Sequence, residues 1–224
     1  MPRKNVLDLA GKPLIAHTID AAKASQLLDR TIVSTDDKEI ADVARRLGAS
    51  VPFMRPDELS QDGTTSYAVL AHSVRWLDEN EDYRPDYVML LQPTSPFRTA
   101  QDIDNCIQTA LDKDADGVVS LSKSKTHPLW MKYISDDGQI SEYEPQKGGP
   151  SASYTLRQNL PTIYGVNGAV YLVKREVLVE QNTFYTSRTY AYIMPADRSL
   201  DIDTAWDFRI ADLVLRDGGL HETD

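Results

Sequence analysis

At 224 residues, with 41% hydrophobic and 26% charged side chains, the chain is sized for one substantial core with a smaller appendage. A formal net charge of -10 argues against a protein that wraps nucleic acid, and it requires a local basic pocket or a metal to receive any anionic substrate. The lone cysteine, Cys106, excludes an internal disulfide framework and a cysteine-based zinc site; with no membrane-length apolar run and no signal-like start, a cytoplasmic protein without membrane or nucleic-acid partners is expected.

Along the chain, hydrophobic runs alternate with amphipathic segments. Residues 14–25 read as a helix and 30–34 as a buried strand. Asp36, with Glu39 three positions on, reads as an N-cap opening a helix through Leu47. Residues 66–80 form the next helix, and 87–91 a hydrophobic strand that stops abruptly in the polar, proline-bracketed loop Gln92-Pro93-Thr94-Ser95-Pro96. Thr99 with Asp102 reads as a capping box for a helix to about Lys113, in which Cys106 shares an amphipathic pattern with Ile103, Ile107 and Leu111 and so belongs to the core. Residues 117–121 are again strand-like. This order predicts an α/β fold of three layers around a mostly parallel sheet.

Between residues 123 and 165 the rhythm breaks. Residues 130–134 and 140–143, joined by Asp136-Asp137-Gly138, suggest a hairpin, and a polar stretch follows over 144–153. An excursion of this length inside an α/β domain is usually functional or an interaction arm. Strands are then expected over 168–173 and 190–194, and Thr204 with Asp207 marks a third capping box opening a helix to about Asp217. The chain therefore divides into 1–122 and 166–224, two parts of one α/β core, and an insertion over 123–165.

Two segments carry the chemistry. In Asp201-Ile202-Asp203 the carboxylates alternate, so on extended backbone both face one way, either as a seat for a hard divalent cation that escorts phosphates or as a solvated acidic turn before a helix. Gln92 ends a predicted buried strand, where an amide can read sugar hydroxyls or an N-acyl group or can simply bond the backbone. Arg3, Lys4 and Lys12 gather basic charge near the amino terminus. The four histidines show no metal-ligand spacing.

Seven stretches, in order, resemble the CMP-N-acylneuraminate synthetase (nonulosonate cytidylyltransferase) family: Pro2-Arg3-Lys4-Asn5 with Leu9-Ala10-Gly11-Lys12-Pro13-Leu14-Ile15, Val33-Ser34-Thr35-Asp36-Asp37, Arg55-Pro56-Asp57-Glu58-Leu59, Gln92-Pro93-Thr94-Ser95-Pro96-Phe97-Arg98, Arg157-Gln158-Asn159-Leu160-Pro161, Asn167-Gly168-Ala169-Val170-Tyr171, and Asp201-Ile202-Asp203. The resemblance implies a Rossmann-like nucleotidyltransferase fold with an inserted dimerisation arm. It also implies transfer of CMP from CTP to the anomeric hydroxyl of a nonulosonic acid, with release of pyrophosphate. Asp201 and Asp203 would then hold the catalytic Mg2+, with Lys4 and Asn5 near the CTP phosphates and nucleotide. Arg55 matches a position near the cytidine, and Ser66 one that reads the cytosine edge, although it also suits a helix start. Gln92 would bind the sugar acid; Arg98 would contact phosphate or cover the next helix. Arg157 and Gln158 would reach from the arm into the partner's sugar site of a homodimer, and Asn167, Tyr171, Phe184 and Tyr185 would shape the sugar pocket.

The pattern departs from the family in two places. Family members place a hydrophobic strand and an arginine- and glycine-rich phosphate loop immediately before the equivalent of Pro2-Arg3-Lys4-Asn5, whereas Met1 stands at that junction here. The first strand and loop are therefore expected to be missing, with weak CTP binding as the consequence. Gly165 and Trp130 replace two cations of sialate-activating members, which points to another nonulosonate such as legionaminate. Two other readings stand beside this one: a glycosyltransferase using Asp201-Ile202-Asp203 as its metal motif, and a truncated paralogue acting as a sugar-binding or dimerising module.

Overall fold

The structure, a computed structural model, describes Met1, residues 3–143 and residues 160–218. A single 3-10 turn, Lys4–Val6, leads into two short antiparallel strands, β1 (Asp8–Leu9) and β2 (Lys12–Pro13), joined through Ala10 and Gly11. The helices are α1 (Leu14–Ala24), α2 (Lys38–Arg46), α3 (Ser66–Glu81), α4 (Ala100–Lys113), α5 (Arg175–Gln181) and α6 (Ala205–Arg216). The remaining strands are β3 (Tyr87–Leu90), β4 (Gly117–Lys123), β5 (Lys132–Ile134), β6 (Ile140–Glu142), β7 (Tyr164–Lys174) and β8 (Thr189–Ile193). Among the described residues no helix is long and apolar enough to cross a membrane.

The central sheet has the order β3-β7-β4-β8. β4 and β8 pair in parallel, while β7 runs antiparallel to both β3 and β4. Three strands thus share one direction, as the βα alternation predicts, but β7 opposes them, so two of the three pairings are antiparallel and the sheet is mixed where a mostly parallel one is expected. The reason lies in the connection. β7 is reached from β4 through the excursion, and Lys123 pairs with Tyr164, so the chain returns hairpin-fashion without the crossover helix that a parallel neighbour needs.

Alternation along these strands builds the two faces. Val118, Val170 and Leu172 pack with Cys106 and Ala110 of α4 on one side. Val119 and Val173 pack with Val74 of α3 and with Val177 and Leu178 of α5 on the other. The result is three layers with the sheet in the middle. A third cluster joins Leu9, Leu14, Phe97 and Ile202 to Ala211 of α6 and ties both ends of the described chain to the loop that follows β3.

Local signals and structure differ at two points. The expected strand over 30–34 is reduced to one parallel bridge, Ile32 with Ser50, closed by Val33 N–H donating to the Ser50 carbonyl at 2.8 Å. A strand needs a ladder, and hydrophobicity alone does not supply the neighbour. The N-cap of α2 is Asp37 and not Asp36: its Oδ1 accepts from Glu39 N–H at 2.7 Å and Ile40 N–H at 3.2 Å. The capping boxes at Thr99–Asp102 and Thr204–Asp207 are both reciprocal, with backbone and side chain bonded each way. The hairpin β5–β6 forms a separate two-stranded sheet whose Ile134 and Ile140 are 73% and 67% exposed. The polar stretch over 144–153, together with Arg157 and Gln158, lies outside the described residues.

Candidate active site

The carboxyl ends of β3, β4 and β8 open on one rim of the sheet, and the chain's chemistry collects there. β7 carries an irregularity at this rim. Its register with β4 shifts between Val119 and Leu121, so that residues 167–170 bulge. Ser120 Oγ fills the gap: it accepts from Val170 N–H at 2.8 Å and donates to Asn167 Oδ1 at 2.6 Å. Asn167, 6% exposed, takes a further bond from Ala169 N–H and donates to Ser199 Oγ at 3.0 Å. Its amide is therefore engaged within the protein, and Asn167 shapes the site by holding the bulge. Bulges re-aim side chains beside sites. This one places Gly168, at φ +76, beneath two side chains: a Cβ there would lie 2.7 Å from Gln92 Oε1 and 3.3 Å from Asp201 Oδ2.

Gln92 and Asp201 thus meet over Gly168, delivered by segments far apart in the chain. Gln92 is fixed through its carbonyl, which accepts from Arg98 Nη1 at 3.1 Å. Arg98, 3% exposed, also donates to the Ala169 carbonyl at 2.7 Å and to Thr18 Oγ1 of α1 at 2.6 Å. Burial lowers its pKa to about 10, so it stays charged at neutral pH. Of the two roles open to Arg98, the structure gives it the internal one: it staples the β3 end, the bulge and α1 together.

Asp201 and Asp203 flank Ile202, whose side chain is fully buried and whose N–H donates to the Thr94 carbonyl at 2.9 Å. Asp201 is half-buried, and its Oδ1 is buried without a hydrogen-bond partner. Burial raises its pKa, the Thr94 side chain works against that, and the neighbouring Asp203 charge adds to it. Asp203 is open, with its side chain 78% exposed. Lys4 Nζ donates to the Ile202 carbonyl at 2.6 Å and stands 4.0 Å from Asp203 Oδ1, bringing the amino-terminal turn onto the carboxylate loop. Asn5 is half-buried in the same turn. Asp207 caps α6: its Oδ2 takes Thr204 N–H and Oγ1, both at 2.7 Å.

The donor set suits Mg2+. An orphaned buried carboxylate oxygen sits beside an open carboxylate, and among the described residues no group of three or more His, Cys, Asp or Glu gathers to hold a metal. Mg2+ characteristically takes one or two carboxylates, with waters and substrate phosphates filling its octahedron.

An aromatic wall stands beside this pair. Phe184, 4% exposed, packs between Tyr67 at 4.9 Å and Tyr171 at 5.1 Å, while Tyr185 is 52% exposed. Burial raises the Tyr171 hydroxyl pKa, with Tyr185 and then Asp201 adding to it, so this tyrosine lies within electrostatic reach of the carboxylate. Tyr67 carries the start of α3 onto the wall, and with it the exposed Ser66; Thr65 is the N-cap. Arg55 is half-buried, its guanidinium donating to the Ser34 carbonyl and hydroxyl, and burial lowers its pKa. Gln92, Gly168, Asp201, Asp203, Lys4 and Tyr171 thus share one rim. Sequence reasoning missed Tyr67 and Ser120, since a tyrosine on a helix and a hydroxyl in a strand carry no pattern of their own, and it named Thr94 only as part of a matched stretch. Gly168 is visible only as the glycine of a matched stretch.

A sheet whose strand ends gather an amide, two carboxylates and a lysine defines an α/β protein with its polar and charged groups collected on one rim. The cytidylyltransferase family matches residues 1–211, and the chain belongs to that family. It is 39% identical over 210 residues to the N-acylneuraminate cytidylyltransferase of Streptococcus agalactiae, covering 93% of this chain and 48% of that protein. It is 35% identical over 216 residues to the CMP-N,N'-diacetyllegionaminic acid synthase of Legionella pneumophila, covering 96% and 90%. The chain thus spans about half the length of the streptococcal relative and nine-tenths of the Legionella one. In fold it is similar to the solved structure of a CMP:2-keto-3-deoxy-manno-octonic acid synthetase complexed with CTP, with TM-score 0.70 at 16% identity over 97% of this chain and 93% of that one.

Proposed function

We propose that this chain joins CMP from CTP to the anomeric hydroxyl of a nonulosonic acid and releases pyrophosphate, working as a homodimer in the cytoplasm, where CTP is at hand. The observation that carries this reading is the meeting of Gln92 and Asp201 over Gly168, with Lys4 bridging to Asp203. It puts an amide suited to a polyhydroxylated sugar next to a seat for a phosphate-escorting cation. The names of the relatives support the choice of sugar class.

In this reading Gln92 holds the sugar acid, and the wall of Tyr171, Phe184 and Tyr185 excludes water from its carbon frame. Asp201 and Asp203 would hold Mg2+, which when bound supplies charge neutralisation for the triphosphate and the departing pyrophosphate. Lys4 offsets part of the carboxylate charge. Asn5, Arg55 and Ser66 serve the nucleotide. Arg157 and Gln158 complete the partner's sugar site, a cation being what a sugar carboxylate needs. Gly165 and Trp130, in place of two cations, favour a nonulosonate of the legionaminate kind. The homodimer reading draws on the exposed apolar residues of the arm, among them Tyr133 at 58% and Ile134 at 73%.

The test is pyrophosphate release from CTP and Mg2+ with a panel of nonulosonic acids, in wild type and Asp203→Asn. The substitution is expected to lower kcat by at least about 100-fold with the circular dichroism spectrum unchanged, since it removes charge stabilisation and not packing. Activity within a few-fold of wild type would remove Asp203 from the metal seat.

A further inference from the structure

Arg198 lies three residues before Asp201, in a segment without regular structure, and its side chain is 30% exposed. Its guanidinium nevertheless grips a carboxylate with no exposure at all. Nη2 donates to Asp102 Oδ1 at 2.9 Å and Nε to Oδ2 at 3.2 Å, a two-pronged fork. Asp102 sits in the first turn of α4 and takes three further bonds: Thr99 N–H and Thr99 Oγ1 on Oδ2, each at 2.9 Å, and the Tyr192 hydroxyl on Oδ1 at 3.0 Å. Burial by itself would raise its pKa, but the bonds from Arg198 and Thr99 outweigh it and hold the group ionised.

A capping box needs only the threonine and the helix's own backbone. The fork to a distant arginine is an addition, and it falls where the chain has no ladder to fix it. Next along, Ser199 Oγ accepts from Asn167 and donates to the Pro195 carbonyl at 2.7 Å; then come Asp201, the anchored Ile202 and Asp203. The ties run from three residues before Asp201 to the residue between the two carboxylates, and the Arg198 fork is the charged one on the approach from β8. We propose that Arg198, seated on the buried Asp102, is a positioning residue that fixes the loop carrying the Asp201–Asp203 pair for metal binding. This rests on the reading of that pair as the Mg2+ seat. Residues that orient a metal's ligands characteristically change its affinity by about 10- to 100-fold when removed.

Mn2+ alone serves as the probe, its free concentration read by electron paramagnetic resonance, beside hydrogen exchange of the Ile202 amide without metal. Arg198→Lys keeps a cation against Asp102 but loses the fork, so it is expected to fold while binding Mn2+ about 10-fold more weakly, with faster Ile202 exchange. Arg198→Met should weaken binding at least as much, and Arg45→Met, at an exposed pair in α2, should change neither readout. A purely structural role predicts a lower melting temperature with Mn2+ affinity unchanged. Wild-type affinity in both Arg198 variants, with Mn2+ lost in Asp203→Asn, would overturn the positioning role alone. Undiminished Mn2+ binding in Asp203→Asn would overturn the metal seat and this inference with it.

Discussion

A methyl group at position 168 would fall 2.7 Å from Gln92 Oε1 and 3.3 Å from Asp201 Oδ2, on backbone at φ +76. Gly168→Ala is therefore expected to cost about 1–2 kcal/mol for the left-handed backbone alone. It should also push the amide off its position, lowering kcat/KM for the sugar acid by roughly 10- to 100-fold with a smaller change for CTP. Steady-state kinetics with each substrate varied in turn would measure it; unaltered values for both would mean that Gln92 has a second place to stand. Nothing in the sequence announces this role. A glycine in a row of letters shows permission for an unusual backbone, and only the structure shows which side chains use the space.

At the level of elements, Thr204 closes the α6 capping box and, through Asp207, helps tie down Asp203, whose N–H donates to Asp207 Oδ2 at 3.2 Å. Thr204→Ala is expected to cost about 1 kcal/mol, a fall of about 2–4 °C in melting temperature for a chain of this size. Scanning calorimetry would check it, and a shift under 1 °C would assign the end of α6 to packing. This box and the one at Thr99 were legible in the sequence because both partners lie within four residues. The cap of α2 was misplaced by one residue because Asp36 and Asp37 stand side by side and propensity does not choose between them. The direction of β7 was not legible either: periodicity tells which residues face the core and is blind to which way the strand runs. Likewise the run over 30–34 has strand composition, but what makes a strand is the neighbour. The Asp201–Asp203 pair was legible from its alternation, since the intervening isoleucine is the buried one.

For the molecule as a whole, two histidines bear on pH. Burial is the main cause that lowers both His17 and His72 below 6.5. A depressed folded pKa means that below 6.5 the unfolded chain takes up protons the native state resists, so this stability is complete above that value and drains away as pH falls through it. Melting temperature is expected to decline from pH 7.5 to 5.5, and less steeply in His72→Phe; identical slopes would acquit His72. The arm offers a test of assembly: Ile134→Asp, at a side chain 73% exposed, should leave a monomer's fold intact and shift sedimentation toward monomer. A stable wild-type monomer at micromolar concentration would remove the dimer from the reading. The clasp of Lys4 on the Ile202 carbonyl joins residues 198 positions apart. Contacts of such separation form late, after the loop-closure entropy of nearly the whole chain has been met. On a ribosome, the sheet's first three strands can pair long before residue 202 emerges, yet the carboxylate loop cannot be clasped until then. On the proposed function, catalytic competence would then be the final event of this chain's folding, and regain of turnover after dilution from denaturant should lag behind regain of secondary structure.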